Sequence, residues 1–372
     1  MYNNNNFNND FNNNNFDNNS APLSHNNNAA AATPPKRKRT KLIFFIVGLA
    51  LLLIGGIIFG AVVATHSLHE LDNEVLTATS FTALEEQQIT EINLNGNWNY
   101  QIVMGYSFSI NYFYSNTHAI SSYTTPNQSG GYTFTLQENR NSFISDMGMG
   151  GTRRNHANYL IVITVNRPVA LTTNGSSVRL TANDVNFTTL TLNGSSLRVN
   201  ITNSTIDGNF TTQGSSTRVN FTDVHVGNVA SVGSSVRFDF SNVNANDVSI
   251  TGSDSRITWN SGTGNNIRSV GSSPRINLTD IEMQNIYMRG SSARVDAVRS
   301  TLHHLEMTGS STRATLELYG TLADVGRALA QSNSSRLYIN GRRQDGSILN
   351  PQGTKTFVLS GSSARLRLTM LG

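Results

Sequence analysis

A short repeated motif carries the residues of this chain that are best suited to bind a ligand. The motif G-S-S-x-R, once varied to GSDSR, recurs from Gly175 onward, and its arginines are separated by 19 or 20 residues. A guanidinium group presents a planar fork of hydrogen-bond donors that suits anionic groups. The spacing therefore predicts a row of anion-binding side chains. The eight arginines, here named the arginine ladder, are Arg179, Arg198, Arg218, Arg237, Arg256, Arg275, Arg294 and Arg313.

The residues that must position the ladder alternate between polar and apolar, which is typical of a half-buried β-strand. The residue after each arginine is apolar, and so is the residue two positions further on, so both point to the same face. The predicted inward residues are Leu180, Ala182, Val199, Ile201, Val219, Phe221, Phe238, Phe240, Ile257, Trp259, Ile276, Leu278, Val295, Ala297, Ala314 and Leu316. The ladder then points outward.

Each repeat, here called a rung, also contains a second apolar pair, such as Leu190 and Leu192 or Val248 and Ile250. A rung is therefore predicted to be strand, turn, strand, turn. One rung cannot bury its apolar face alone, but stacked rungs enclose a shared core and pair each other's backbones. The predicted fold class is all-β, a two-sheet β-solenoid of rungs of about 19 residues. The glycine that opens each rung is expected to turn with a positive φ.

Two interpretations of the ladder remain open. Stacked arginines about 4.8 Å apart repel one another by about 0.9 kcal/mol per pair in water. In the structural interpretation, serine hydroxyls, backbone carbonyls and guanidinium stacking offset this repulsion. In the functional interpretation, the ladder binds an anionic glycan or another anionic polymer of the cell envelope. Only Asp239 and Asp296 stand two residues after a ladder arginine as carboxylates.

The N-terminal part of the chain has a different composition. Residues 1–41 are rich in asparagine and end in the basic block KRKRTK, which predicts a disordered cytoplasmic tail. Residues 42–64 carry no charge or amide side chain and would span about 35 Å as a helix, which predicts one transmembrane helix. A cleaved signal peptide has a shorter apolar region that lies nearer the N-terminus. Gly56 and Gly60 form a GxxxG pair that could support a weak homodimer, although glycine is common in membrane helices.

The orientation follows from the charges on either side of this segment. The basic block precedes it, while the first charged residues after it are acidic. The positive-inside rule then predicts a single-pass protein of the cell membrane, with a cytoplasmic N-terminus and an extracellular C-terminal part. That part is predicted to comprise a polar stalk at residues 65–90 and a β-solenoid at residues 91–372.

Within residues 91–372, an irregular β cap is predicted over 91–170 and the repeats over 171–372. Strand-like alternation in the cap includes Ile92 and Leu94 and continues through Trp98, Tyr100 and Ile102. Residues 141–158 show no sustained period and are predicted to form a loop, after which a strand resumes at 159–165. Two looser copies of the motif, ending at Arg336 and Arg365, place insertions near the end of the array.

The GSSxR repeats, the cap strands from Ile92 and the ITVNRP segment together resemble the adhesin domains of bacterial surface proteins, of the type called auto-transporter adhesin head or GIN. The resemblance covers residues 85 to 372. It rests on a repeat pattern and not on a catalytic signature. It implies a repetitive β fold and an adhesin-like role, and it implies no established chemistry.

Candidates for catalysis or metal binding are sparse. A glycosidase needs two carboxyl groups within about 5 to 9.5 Å, whereas Asp239 and Asp296 are predicted to be three rungs, or about 14 Å, apart. His303 and His304 are adjacent and would point to opposite faces of a strand. The chain has no cysteine and no phosphate-loop or nucleophile-elbow motif. We therefore expect no enzymatic activity, no cofactor and no metal site.

The expected function is binding or structural presentation at the cell envelope, with adhesion as the leading interpretation. The calculated pI is high, but the basic block accounts for much of the excess charge, and no nucleic-acid partner is expected. The alternative is an envelope-stress sensor or regulator that signals across the membrane. That alternative would need a cytoplasmic partner for residues 1–41. A carbohydrate-active enzyme is the third and weakest interpretation.

Overall fold

The computed structural model of the protein describes residues 76–82, 88–115, 118–140 and 160–372. These residues are nearly all β, and their 23 strands hydrogen-bond into one large sheet. The predicted tail, transmembrane segment, loop at 141–158 and most of the stalk lie outside the described residues. In the part that is described, no helix has the length and apolar character needed to cross a membrane.

The strands alternate with short turns and bends along the whole described chain. One 3-10 turn, Leu322–Asp324, interrupts them. The strands are β1 (Leu76–Thr82), β2 (Ile89–Asn95), β3 (Asn99–Met104), β4 (Ser109–Ser115), β5 (His118–Pro126), β6 (Tyr132–Arg140), β7 (Leu160–Val165), β8 (Val169–Asn174), β9 (Ser177–Asn183), β10 (Asn186–Asn193), β11 (Ser196–Gln213), β12 (Ser216–Val232), β13 (Ser235–Thr251), β14 (Asp254–Val270), β15 (Arg275–Arg289), β16 (Ser292–Thr308), β17 (Ser311–Leu318), β18 (Val325–Gln331), β19 (Ser334–Ile339), β20 (Arg342–Gln344), β21 (Ile348–Leu349), β22 (Lys355–Ser360) and β23 (Ser363–Met370).

The repeat period of the sequence becomes parallel pairing between successive rungs. From β11 to β16 each rung pairs in parallel with the next, and equivalent residues of the motif face each other. All sixteen predicted inward residues are at most 1% exposed, which confirms the inward face of the first strand. The pairs Leu190 and Leu192, and Val248 and Ile250, are buried as well. Apolar side chains of every rung therefore share one continuous core.

Each long strand pairs in three segments and not in the two that were predicted. In β12, residues 216–222, 224–226 and 228–232 pair with β13, whereas Asp223 and Gly227 do not. Asp223 and Gly227 mark the two bends of the rung. The middle segment is too short to show a period of its own, because it holds only two inward residues, Val224 and Val226.

The first bend uses a left-handed backbone conformation in seven successive rungs. Its residues have φ between 47° and 64° and stand five positions after a ladder arginine: Asp184, Asn203, Asp223, Asn242, Ser261, Asp280 and Arg299. Asparagine and aspartate tolerate this conformation better than other residues that carry a Cβ. The preference for these two residue types therefore follows from the backbone of the bend.

The glycines that open the rungs are required for a reason other than the predicted one. From Gly175 to Gly309 none of these glycines has a positive φ. Each instead lies against the glycine of the preceding rung: a Cβ on Gly233 would stand 2.0 Å from the carbonyl oxygen of Gly214. The prediction of a positive φ was wrong for these glycines, because close approach of stacked backbones excludes a side chain there; Gly361, which opens the last copy of the motif, does have a positive φ of 155°.

At the N-terminal end, the order of rungs in space differs from their order in the chain. The rung formed by β2 and β3 is regular and inserts between later strands: β2 lies between β6 and β8, and β3 between β7 and β9. The irregular part of the cap is confined to antiparallel neighbours, where β4 pairs with β7, β1 with β4, and β5 with β6. The resumed strand predicted at 159–165 is confirmed as β7.

The C-terminal end shows the same insertion. Strand β23 lies between β17 and β19, and β22 lies between β16 and β18, so the last rung of the chain is not the last rung of the stack. Short antiparallel strands β20 and β21 pair with β19 and β18. These additions cover edges that a parallel stack would otherwise expose for pairing with other chains.

Candidate functional site: the arginine ladder

The structure brings all eight arginines of the ladder into one register. Each faces its equivalent on the adjacent rung, from Arg179 on β9 to Arg313 on β17. The inserted rung extends the row, because Arg313 faces Arg365 and Arg365 faces Arg336. Ten arginines therefore stand in consecutive positions of the sheet. Sequence order alone would have placed Arg336 before Arg365.

The ladder lies on the outer face of the first segment of each rung. Arg256 and Arg313 are half-buried, and the other six members are exposed. Adjacent strands of a sheet are about 4.8 Å apart, so the charges repeat at this interval. The buried residues on either side of each arginine fix the direction of its Cα–Cβ bond, which keeps the row aligned.

Two carboxylates neutralise members of the ladder. The Arg218 guanidinium lies 3.4 Å from the carboxylate of Asp239, and the Arg294 Nε donates to Asp296 at 2.5 Å. Among the described residues, no other carboxylate comes within 4 Å of a ladder guanidinium. Both pairs are partly exposed to water, so each is weakly stabilising.

The hydrogen bonds expected from the structural interpretation are not formed within the described part of the chain. There, the six other ladder guanidinium groups donate to no serine hydroxyl and to no backbone carbonyl. The Nε of Arg313 is buried without a partner. Of the three interactions in the structural interpretation, only guanidinium stacking is left to offset the repulsion between neighbouring ladder arginines.

One arginine outside the ladder does have a carboxylate partner that accepts two of its hydrogen bonds. At the first bend, Arg299 donates two hydrogen bonds of 2.8 Å to the carboxylate of Asp280 on the preceding rung. These hydrogen bonds hold the pKa of Asp280 below its usual value and raise that of Arg299. The ladder differs from this pair, because most ladder guanidinium groups have no carboxylate partner among the described residues and can donate to an external anion.

The other candidate groups remain apart. Asp239 and Asp296 occupy the same position three rungs apart, through Thr258 and Asn277, as their spacing predicted. Within the described residues, no group of three His, Asp or Glu side chains could hold a metal ion. The His304 imidazole packs against the Tyr287 ring at an angle of 44°, with ring centroids 5.2 Å apart.

Sequence reasoning missed three features of this surface. It did not identify the left-handed bend, although Asp, Asn or Ser recurs five residues after the first six ladder arginines. It did not place Arg365 beside Arg313, because insertion of the last rung leaves no period in the sequence. Arg367, which follows Arg365 by two residues and shares its outer face, was also not singled out.

Comparisons with known proteins add little to this geometry. No protein-family model matches the chain, and no curated protein matches it. A similar solved structure is that of a "putative cell adhesion protein" from Clostridium sporogenes, which is 12% identical, with 80% of this chain and 100% of that chain covered at a TM-score of 0.20. A score this low carries no conclusion about function. The arginine ladder itself is therefore the stronger guide to what the protein binds.

Proposed function

We propose that this protein is a membrane-anchored, adhesin-like binding protein of the cell envelope. Its stacked rungs would act as a β-solenoid scaffold that presents the arginine ladder to an anionic glycan or another anionic envelope polymer. The observation that carries the proposal is that six of the eight ladder guanidinium groups have no carboxylate partner among the described residues. We propose a binding role without catalysis.

The regular spacing of the ladder favours a polymer over a small anion. A polymer with repeated charges can contact several rungs at once, and each further contact is intramolecular and thus cheaper in entropy than the first. Exposed arginines also attract a polyanion from a distance, in a manner that salt screens. The flanking outward residues, such as Asn220, Thr258 and Asn277, could add hydrogen bonds to hydroxyl groups.

Replacing three central ladder arginines tests this role. The changes Arg237→Gln, Arg256→Gln and Arg275→Gln remove three charges that have no carboxylate partner among the described residues. We expect binding of the full chain, in detergent micelles, to heparin as an anionic glycan probe to weaken by at least about 100-fold. The slope of log affinity against log salt should fall by about 2. Affinity at several salt concentrations measures both.

A charge-matched control lies on the third segment of the rungs. Arg268, Arg289 and Arg327 are exposed there, away from the ladder, and their change to Gln removes the same net charge. This control should keep heparin affinity within about threefold of the wild type. An equal loss in both variants would mean that only net charge matters. A wild type that binds no heparin at physiological salt would refute the binding role.

The proposed anchoring has its own test, because it rests on residues 1–64 of the sequence. If the chain crosses the membrane once with its N-terminus inside, protease added to intact cells will remove the repeats and leave the asparagine-rich tail. Antibodies against tags at the two ends report the result. Protection of the C-terminal tag together with loss of the N-terminal one would show the opposite orientation.

A further inference from the structure

The C-terminal end of the ladder has a denser charge than its middle. Insertion of β23 places Arg365 beside Arg336, and Arg367 follows Arg365 by two residues on the same outer face. Arg367 lies opposite Tyr338 of β19, which in turn faces Arg343 of β20. Four arginines from three adjacent strands therefore project from neighbouring positions on one face of the sheet. We name Arg336, Arg343, Arg365 and Arg367 the C-terminal arginine cluster.

This cluster is poorly neutralised by the protein. Among the described residues, its one ion pair joins Arg343 and Asp345 at 3.9 Å, and the Asp345 side chain is 98% exposed. Glu317 projects from the same face of β17 but forms no ion pair with the cluster. In the middle of the ladder, the position equivalent to Arg367 holds Thr, Asn or Asp. The inserted rung thus puts a cation where the others put a polar or acidic group.

One side chain of the cluster is held in place by an aromatic ring. The guanidinium carbon of Arg367 lies 5.2 Å from the ring centroid of Tyr338, which is a cation–π contact. Tyr338 points to the outer face, because Leu337 and Ile339 on either side of it point into the core, and its ring is half-buried there. The ring therefore limits the motion of Arg367 and lowers the entropy cost of fixing it on a ligand.

We propose that the C-terminal arginine cluster binds a phosphate group carried by the anionic polymer that lies along the ladder. This inference rests on the proposed function and names the chemistry of one group of its ligand. A phosphomonoester carries a charge of about −1.5 to −2 and three acceptor oxygens, so it can satisfy several guanidinium forks at once. A single carboxylate carries about half to two thirds of that charge and has two oxygens. The density of arginine therefore favours phosphate over carboxylate.

Pyrophosphate is the probe for this site, since it is too short to span the ladder. The full chain in detergent micelles should bind pyrophosphate at least about tenfold more tightly than malonate, a dicarboxylate, in isothermal titration calorimetry. Arg336→Gln, Arg365→Gln and Arg367→Gln together should weaken pyrophosphate binding by at least about 100-fold. The Arg367→Gln change alone, at an exposed residue, should weaken pyrophosphate binding by about tenfold. This single variant replaces the triple variant in the test if the triple variant does not fold. The charge-matched variant at Arg268, Arg289 and Arg327 should stay within about threefold of the wild type.

The two proposals fail in different ways in this experiment. If the chain binds heparin through the ladder but does not bind pyrophosphate, the phosphate site is wrong and the proposed function stands. If it binds pyrophosphate but not heparin, the polymer role fails. Malonate binding as tight as pyrophosphate binding would overturn the preference for phosphate. Equal losses in the cluster variant and its charge-matched control would show that net charge alone attracts pyrophosphate, which would also overturn the site.

Discussion

Replacing Trp259 by alanine should destabilise the protein by about 3–5 kcal/mol, because the indole is fully buried in the middle of the stack. The ring packs edge-on against Phe240 of the preceding rung, with centroids 5.3 Å apart. Its Nε1 donates a hydrogen bond of 3.1 Å to the carbonyl oxygen of Val243. Alanine would leave a cavity and remove this hydrogen bond. Denaturation of the full chain, followed by the β signal in circular dichroism, measures the loss.

The same rung makes room for this large side chain. Gly262 and Gly264 stand at inward positions of the middle segment, where the neighbouring rungs have Val243 and Ala245 on one side and Ile281 and Met283 on the other. A Cβ on Gly264 would lie 2.5 Å from the terminal methyl group of Met283, the flexible end of that side chain, and 2.9 Å from the indole. Gly264 therefore leaves room for the indole, whereas Gly262 is a glycine for a backbone reason: its φ is 123°, and its Cβ would lie 1.9 Å from the Val243 carbonyl oxygen.

This compensation supplies an internal control. Gly264→Ala should destabilise the wild type through overpacking but should cost much less in the Trp259→Ala background, where the added methyl group enters the cavity. Tyr287→Ala removes an aromatic ring that is 40% exposed on the outer face and should cost about 1 kcal/mol or less. A loss below about 0.5 kcal/mol for Trp259→Ala would show that the assigned core face is wrong.

The parts of the fold that the sequence predicted correctly are those that depend on the period of two. The ladder and its inward neighbours alternate over a seven-residue segment, so burial of Val219 and Phe221 and exposure of Arg218 follow from strand geometry. The constant interval of about 19 residues likewise set the register between rungs, because equal repeats stack with equivalent residues paired.

The parts that were not predicted depend on contacts that have no period. The middle segment is three residues long in β12, which is shorter than any window in which alternation can be seen. Strand β3 pairs with β9, and β23 pairs with β17, so residues about 50 to 80 positions apart become neighbours. No repeat in the sequence signals such pairing. The consequence for the site is direct, since the C-terminal arginine cluster exists only because β23 is inserted.

The motif indicated that a glycine is required at the start of each rung, but it did not show the physical reason. A motif shows that a side chain is excluded, and both a left-handed turn and a close backbone contact exclude one. Only the stacked structure distinguishes the two, through the short distance from each glycine to the preceding carbonyl. The two explanations differ in which replacements they permit.

Replacing Gly271 by alanine should therefore destabilise the protein by about 3 kcal/mol, at the upper end of the usual cost of overpacking. A Cβ there would lie 1.7 Å from the carbonyl oxygen of Gly252, a backbone atom that cannot move away alone. The amide of Gly271 also donates to the Arg289 carbonyl at 3.0 Å, so any shift strains the pairing with the next rung. Ser272→Ala, at an exposed neighbour, is the matched control and should change stability by less than about 0.5 kcal/mol.

A second replacement at Gly271 separates close contact from a left-handed turn. Asparagine tolerates positive φ better than alanine does, so a left-handed turn would make Gly271→Asn the milder change. Close approach to Gly252 predicts the reverse order, because asparagine adds the same Cβ and a larger side chain beyond it. The free energies of unfolding of the two variants, measured by the same denaturation, decide the question. If Gly271→Asn proves clearly more stable than Gly271→Ala, the backbone contact is not what excludes side chains from this position.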